Sequence, residues 1–196
     1  MTFIDEATKY TWVYFLKTKD EVFTIFKEWK VFVEKQFEKN VKIIRSDNGG
    51  EYISNVFENY LKTEGIKHEH TIRKTPEQNG VAERMNRTLV ESVRCMLSGS
   101  KLPKSFWAEA LATAVYVKNR SPANSLKDKT PYQASFDLKP SVKHFKTFGC
   151  ICFVHIPKDE RQKLDIKSNS CVFVGYASES KAYRVYDLVN KKTVIV

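Results

Sequence analysis

Apolar side chains recur at helical spacing over residues 20–38, where Val22, Phe26, Trp29, Val33 and Phe37 fall on one stripe. That spacing predicts an amphipathic helix with its stripe turned into a core. Upstream, residues 1–4 and 11–16 are rich in β-branched and aromatic side chains and predict two strands joined by the polar turn 5–9. A short strand over 41–45 runs into the flexible turn Ser46-Asp47-Asn48-Gly49-Gly50. A helix over 55–64 follows, with Val56, Phe57, Tyr60 and Leu61 facing inward and Gly65 at the C-cap position. Next come a strand over 66–71, a loop over 75–80, a helix over 81–97 and another over 103–119, with Pro103 suited to its first turn.

Strands alternating with helices predict an α/β layer, sheet at the centre and helices outside. The pattern changes after Pro122. Residues 123–145 read as a loop-rich connector with a short turn of helix near Tyr132. Residues 148–154, 170–176, 183–186 and 193–196 then read as four short strands with no helix between them, the mark of a small β-barrel or sandwich. The chain thus divides into 1–122, a connector 123–145 and a β-rich domain 146–196.

Hydrophobic residues make up 42% of the 196 and aromatics 13%, enough to bury a core and too many for a disordered chain. No apolar run approaches the roughly 18 residues of a membrane helix. The start lacks a basic segment followed by an apolar one, so the expectation is a protein of the nucleus or cytoplasm, neither secreted nor membrane-bound. Cys95, Cys150, Cys152 and Cys171 form no C-x-x-C pair and read as small buried apolar residues in a reducing compartment. His68 and His70 qualify as zinc ligands by residue type alone.

The net charge of +10 is unevenly spread. Residues 1–83 carry 13 Lys+Arg against 14 Asp+Glu, residues 84–120 carry 7 against 2, and residues 140–196 carry 10 against 5. The positive charge begins directly after Glu83. A basic half on a near-neutral half suggests a polyanionic partner, although a solvated basic surface accounts for it equally well.

Two carboxylates stand out, Asp47 just past a strand end and Glu83 in the first turn of a helix, with 35 residues between them. Carboxylates so placed can converge on Mg²⁺, which prefers oxygen ligands and keeps some of its waters. On the helix, Glu83, Arg87, Val90 and Arg94 share one stripe, while Met85, Leu89, Val93 and Met96 lie roughly opposite. If the apolar stripe packs on the sheet, the other face presents a carboxylate beside two guanidinium groups, with Arg84 and Asn86 flanking the same turn. That combination suits phosphodiester chemistry. A surface helix with ordinary charges fits the same pattern.

The strings Arg45-Ser46-Asp47-Asn48-Gly49-Gly50-Glu51-Tyr52 and Thr75-Pro76-Glu77-Gln78-Asn79-Gly80-Val81-Ala82-Glu83-Arg84-Met85-Asn86-Arg87-Thr88-Leu89 resemble the integrase core of copia-type LTR retrotransposons. Residues 3–5, 10–14 and 103–107 resemble it too, and the tail from Phe148-Gly149-Cys150 to Phe173-Val174-Gly175-Tyr176 resembles its SH3-like segment. The resemblance implies an RNase H-like core without its first strand, followed by an SH3-like β domain. It also implies a Mg²⁺ or Mn²⁺ site in which Asp47 matches the second acid and Glu83 the third. DNA, as element ends and target, is the implied partner, with homo-oligomers possible. The family's first acid lies on a strand before the one ending at Ile4, and Asp5 matches a hairpin turn instead. With two of the three carboxylates, the expectation is negligible strand transfer by this chain alone. A DNA-binding module without chemistry and a non-functional transposon remnant stay open as alternatives.

Overall fold

The computed structural model describes residues 1–47, 49–70 and 80–196. They gather into two compact units: Met1–Ile4 with Trp12–Arg87, and Asp5–Thr11 with Thr88–Val196.

In the first unit, β1 (Thr2–Ile4) pairs with β2 (Thr11–Val13). The predicted strand 11–16 is thus shorter than its composition suggested. Its ladder closes where the Tyr14 N–H donates to the Met1 carbonyl at 2.9 Å, and Phe15 beyond it is exposed. A single 3₁₀ turn leads into α1 (Val22–Phe37). Its stripe of Val22, Phe26, Trp29 and Val33 is buried against Phe57, Leu61 and Ile66. Phe3 stacks on Trp29 with ring centroids 4.0 Å apart, and Phe26 meets Phe57 at 4.9 Å.

Lys30, within this apolar helix, is buried as well. Its ammonium group bonds Glu34 at 2.7 Å and Glu64 at 3.0 Å. Burial pulls its pKa down, but the hydrogen bonds to Glu34 and Glu64 outweigh that and leave it above the ordinary value.

β3 (Ile43–Ser46) and β4 (Lys67–His70) pair in parallel, Ile43 opposite Lys67 and Ser46 opposite His70. A parallel pair needs a crossover, and α2 (Asn55–Thr63) supplies it. The Ser54 hydroxyl caps α2 by accepting from the Phe57 N–H at 3.3 Å. That cap sets the phase of the helix. Phe57 and Leu61 turn inward, whereas Val56, expected inward, is 64% exposed. Gly65, at φ +68°, follows the C-cap. The strand expected over 66–71 ends at His70; Thr71 and the loop at 75–79 lie outside the described residues.

α3 (Gly80–Ser100) spans the boundary between the units. Glu83, Arg87, Val90 and Arg94 are exposed, Met85, Val93 and Met96 half-buried and Leu89 buried, which is the predicted amphipathic division.

In the second unit, the helix expected over 103–119 begins with a 3₁₀ turn, and its α-helical part is α4 (Trp107–Asn119). The Asn119 side chain accepts from the Thr11 N–H at 2.9 Å and donates to the Thr11 carbonyl at 2.8 Å. This amide takes both backbone groups of a buried residue, as a neighbouring strand would. Asp5 is committed to its turn, where its carboxylate accepts from the Thr8 N–H at 2.8 Å and the Thr8 hydroxyl at 2.6 Å. The connector holds a 3₁₀ turn and α5 (Pro131–Phe136).

The tail forms β5 (Ile151–His155), β6 (Ser168–Tyr176), β7 (Tyr183–Asp187) and β8 (Lys192–Ile195), an antiparallel sheet in sequence order. α4 packs on it. Ala110, Phe148 and Val174 share a core, the Thr113 hydroxyl donates to the Val174 carbonyl at 2.9 Å, and Arg184 makes a two-pronged pair with Glu109. Of the cysteines, Cys171 is buried and Cys150 and Cys152 half-buried; Cys95, on the outer side of α3, is exposed, contrary to the expectation.

The Asp187 carboxylate closes the β7–β8 turn by accepting from the N–H groups of Asn190 (3.0 Å) and Val189 (2.8 Å) and from the Asn190 amide (2.8 Å). These bonds, the Asn190 N–H first, hold its pKa below the usual carboxylate value. A depressed folded value stabilises above the unfolded pKa, roughly 3.9, and that stabilisation is lost as pH falls through the folded value. Asp187→Asn is therefore expected to flatten the acid limb of the stability curve. Urea midpoints at neutral pH and at about pH 3 measure this, and a gap between the two proteins that stays constant with pH would exclude the turn as its source.

Candidate functional site

Asp47 stands at the carboxyl end of β3, where the chain leaves the parallel pair. Ligands of open α/β sheets gather at such strand ends. Asp47 is exposed, and its Oδ1 accepts from the Gly49 N–H at 3.0 Å. This local bond fixes the carboxylate in a tight turn, which the Tyr52 N–H closes on the Gly49 carbonyl at 2.9 Å. Asn48 lies outside the described residues.

A Cβ on Gly49 would stand 3.0 Å from Asp47 Oδ1 and 3.0 Å from the carboxyl group of Glu51. The two carboxylates therefore flank this glycine, at most twice that distance from each other. Glu51 is paired with Lys19 at 3.3 Å. A bond from its own backbone N–H, helped by Lys19, holds its pKa below the ordinary value. Burial raises the pKa of the neighbouring Tyr52, and the charges of Asp47 and Glu51 add to the effect. Sequence reasoning singled out Asp47 and passed over Glu51, although the run Gly49-Gly50-Glu51 carried the signal: two residues without side chains allow the second acid to fold back beside the first.

Glu83 lies exposed in the first turn of α3, where a carboxylate is favoured by the helix dipole. Asp47 and Glu83 belong to the same compact unit, together with Arg84, Asn86 and Arg87; Arg94 belongs to the other. Arg84 folds back over the start of its helix, its Nη1 lying 3.0 Å from where a Gly80 Cβ would stand. Asn86 is tied to β1, its Oδ1 accepting from the Thr2 hydroxyl at 3.0 Å. Arg87 and Arg94 are exposed on the outer stripe. The donors offered by Asp47 and Glu83 are carboxylate oxygens, the set a hard divalent cation such as Mg²⁺ takes.

A second cluster combines Glu58 of α2 with His68 and His70 of β4. Their ligand-type atoms all lie within 4.8 Å of one another.

Residues 1–76 match the family profile of the integrase core domain, and residues 150–196 match that of the retroviral polymerase SH3-like domain. The chain is 51% identical over 194 residues to the retrovirus-related Pol polyprotein of transposon TNT 1-94 from Nicotiana tabacum, covering 99% of this chain and 15% of that protein. It is 39% identical over 181 residues to the Pol polyprotein of transposon RE2 from Arabidopsis thaliana, covering 92% of this chain and 12% of the relative. The chain thus spans only about a seventh to an eighth of the curated relatives' length. Among solved structures, a chain of the simian T-cell lymphotropic virus intasome in complex with the PP2A regulatory subunit B56γ superimposes with TM-score 0.55 at 17% identity, covering 100% of this chain and 68% of that one. The HTLV-2 integrase catalytic core domain in complex with magnesium, in its trimeric form, gives 0.51 at 21% identity, covering 68% of this chain and 82% of that one. At these identities the likeness carries the fold, an RNase H-like integrase core, with the four-stranded antiparallel tail consistent with an SH3-like domain.

Proposed function

The chain belongs to the integrases of copia-type LTR retrotransposons, and on that premise we propose that it is the part of such an integrase that binds a catalytic cation and DNA during DNA integration. The observation that carries this is the turn at the end of β3, where Gly49 fixes an exposed Asp47 carboxylate in a cradle that a side chain at residue 49 would crowd.

Asp47 and Glu83 would hold Mg²⁺ or Mn²⁺, and the HTLV-2 core in complex with magnesium makes this ion the first choice. When bound, such an ion neutralises phosphate charge and activates the attacking oxygen in phosphoryl transfer. The chain's own residues do the rest. The Gly49 N–H holds the Asp47 carboxylate in its turn, and Arg84, Asn86, Arg87 and Arg94 along α3 meet the phosphodiester backbone of element ends and target DNA. Further copies of the chain are the other proposed partner, on the analogy of the trimeric HTLV-2 core. Among the described residues no helix is long and apolar enough to cross a membrane, and DNA as partner places the work in the nucleus or cytoplasm. The assignment of 1–122 to the catalytic core, 123–145 to a connector and 146–196 to the SH3-like domain is part of the same reading.

Fluorescence anisotropy with a labelled duplex tests the DNA half. Affinity is expected to fall linearly with salt on a log–log plot, with little sequence preference, and Arg87→Ala should lower the slope by about 1. Binding insensitive to salt, or absent at low salt, removes the reading.

A further inference from the structure

We infer that Glu58, His68 and His70 form a binding site for a divalent transition-metal ion of the zinc class, separate from the Asp47 and Glu83 carboxylates. The two histidines are i and i+2 on β4, so they share one face of the strand. α2 brings Glu58 over that face. Its Oε1 lies 2.7 Å from His68 Nδ1 and 3.1 Å from His70 Nε2, and the two rings lie 3.9 Å apart between centroids. One carboxylate oxygen thus sits between two imidazole nitrogens.

Tetrahedral zinc with bonds of about 2.0–2.1 Å spaces its ligand atoms roughly 3.3 Å apart. The two Glu58–nitrogen separations, 2.7 and 3.1 Å, lie close to that spacing, and all three ligand atoms lie within 4.8 Å of one another. Two imidazoles and one carboxylate, with water in the fourth place, are a donor set that zinc accepts; Mg²⁺, which prefers oxygen throughout, is disfavoured there.

The surrounding hydrogen bonds fit the same assignment. His68 Nε2 lies 2.8 Å from the Ser46 hydroxyl, which itself donates to the Asp47 carbonyl at 3.0 Å. Where the Ser46 proton goes to the Asp47 carbonyl, His68 Nε2 is the donor. That leaves Nδ1 as the lone-pair side facing Glu58, the tautomer a metal requires and an outer hydrogen bond ordinarily fixes. Without an ion, Glu58 Oε1 accepts from His68 Nδ1 and His70 Nε2, with Ser46 donating to His68 Nε2. One divalent cation replaces the two protons facing Glu58 and leaves the Ser46 bond intact.

Access is graded. The His68 side chain is 4% exposed, that of Glu58 26% and that of His70 37%, so an ion enters past His70 and finds His68 as its buried anchor. The ion would join α2 to β4 beside the residue that leads into Asp47. The competing account is a hydrogen-bonded cluster that merely pins helix to strand.

The test titrates the chelator-stripped 196-residue chain with Zn²⁺ against a chromophoric competitor, with Co²⁺ as a spectroscopic substitute. The expected result is one Zn²⁺ per chain and visible Co²⁺ bands of a low-coordinate nitrogen–oxygen site. His68→Gln, His70→Gln and Glu58→Gln should each weaken Zn²⁺ binding by roughly a hundredfold, and Ser46→Ala by about tenfold. Circular dichroism in chelator verifies the fold of each variant; should a ligand variant not fold, Ser46→Ala and the wild-type titration decide. Asp47→Asn and Glu83→Gln should keep wild-type Zn²⁺ affinity, which separates this site from the integrase reading. No Zn²⁺ bound by the folded chain, affinity unchanged in Ser46→Ala and the folded ligand variants, or affinity lost with Asp47→Asn would each overturn the assignment.

Discussion

Gly149→Ala is expected to destabilise the second unit by about 3 kcal/mol, lowering its melting temperature by roughly 6–12 °C. Gly149 sits at φ +82°, and a Cβ there would lie 2.1 Å from the Ser100 Cβ and 3.0 Å from its Cα. Two costs add: about 1–2 kcal/mol for a side chain in the left-handed region, and another 1–3 kcal/mol for forcing a filled contact apart. Ser100→Gly in the same chain should recover part of the second cost and none of the first, a coupling that a double-mutant cycle reads directly. Gly50→Ala serves as control, since a Cβ there meets nothing within 4 Å; it should change stability by less than about 0.5 kcal/mol. A Gly149→Ala protein within about 1 kcal/mol of wild type would show that the chain before β5 does not run against the end of α3 as described.

The other large effect concerns chemistry and rests on the proposed function. In an integrase carrying this segment, Asp47→Asn is expected to reduce strand transfer about a thousandfold, the loss of some 4 kcal/mol of transition-state stabilisation. Glu83→Gln should act alike. Neither removes a cation from the DNA-binding face, so duplex affinity at fixed salt should hold or rise slightly. Strand transfer kept at about a tenth of wild type or more in both variants would mean that these carboxylates do not carry the ion. A parallel loss of duplex affinity would point instead to damage in the fold around β3.

Much of this architecture is legible in the sequence because it rests on local rules. The stripe Val22, Phe26, Trp29, Val33 is periodic, and all four are buried. The outer stripe Glu83, Arg87, Val90, Arg94 is exposed along its whole length. Where reading fell short, the deciding partner was distant or the phase was set by a neighbour. Lys30 interrupts an apolar helix and yet is buried, because Glu64, 34 residues away, meets it. Val56 looks inward by composition, but the Ser54 cap fixes the helix so that Phe57 and Leu61 take the core. The strand over 11–16 is read too long because its β-branched and aromatic composition runs on past Val13, where β2 ends and Phe15 is already exposed. Asp47 could be found from the turn that follows it. Glu58 could not, since nothing near it in the chain shows that α2 crosses β4 at the level of His68 and His70.

α4 reaches across to the final sheet through Glu109 and Arg184, through Thr113 and the Val174 carbonyl, and through the core of Ala110, Phe148 and Val174. The consequence concerns recombination. A chimera that takes its tail from another element at residue 150, where the SH3-like match begins, inherits strands whose packing partners stayed behind with the donor. A crossover placed within α3, ahead of Thr88, carries helix and sheet together, so grafts of the carboxyl-terminal module should tolerate that junction and fail at the later one.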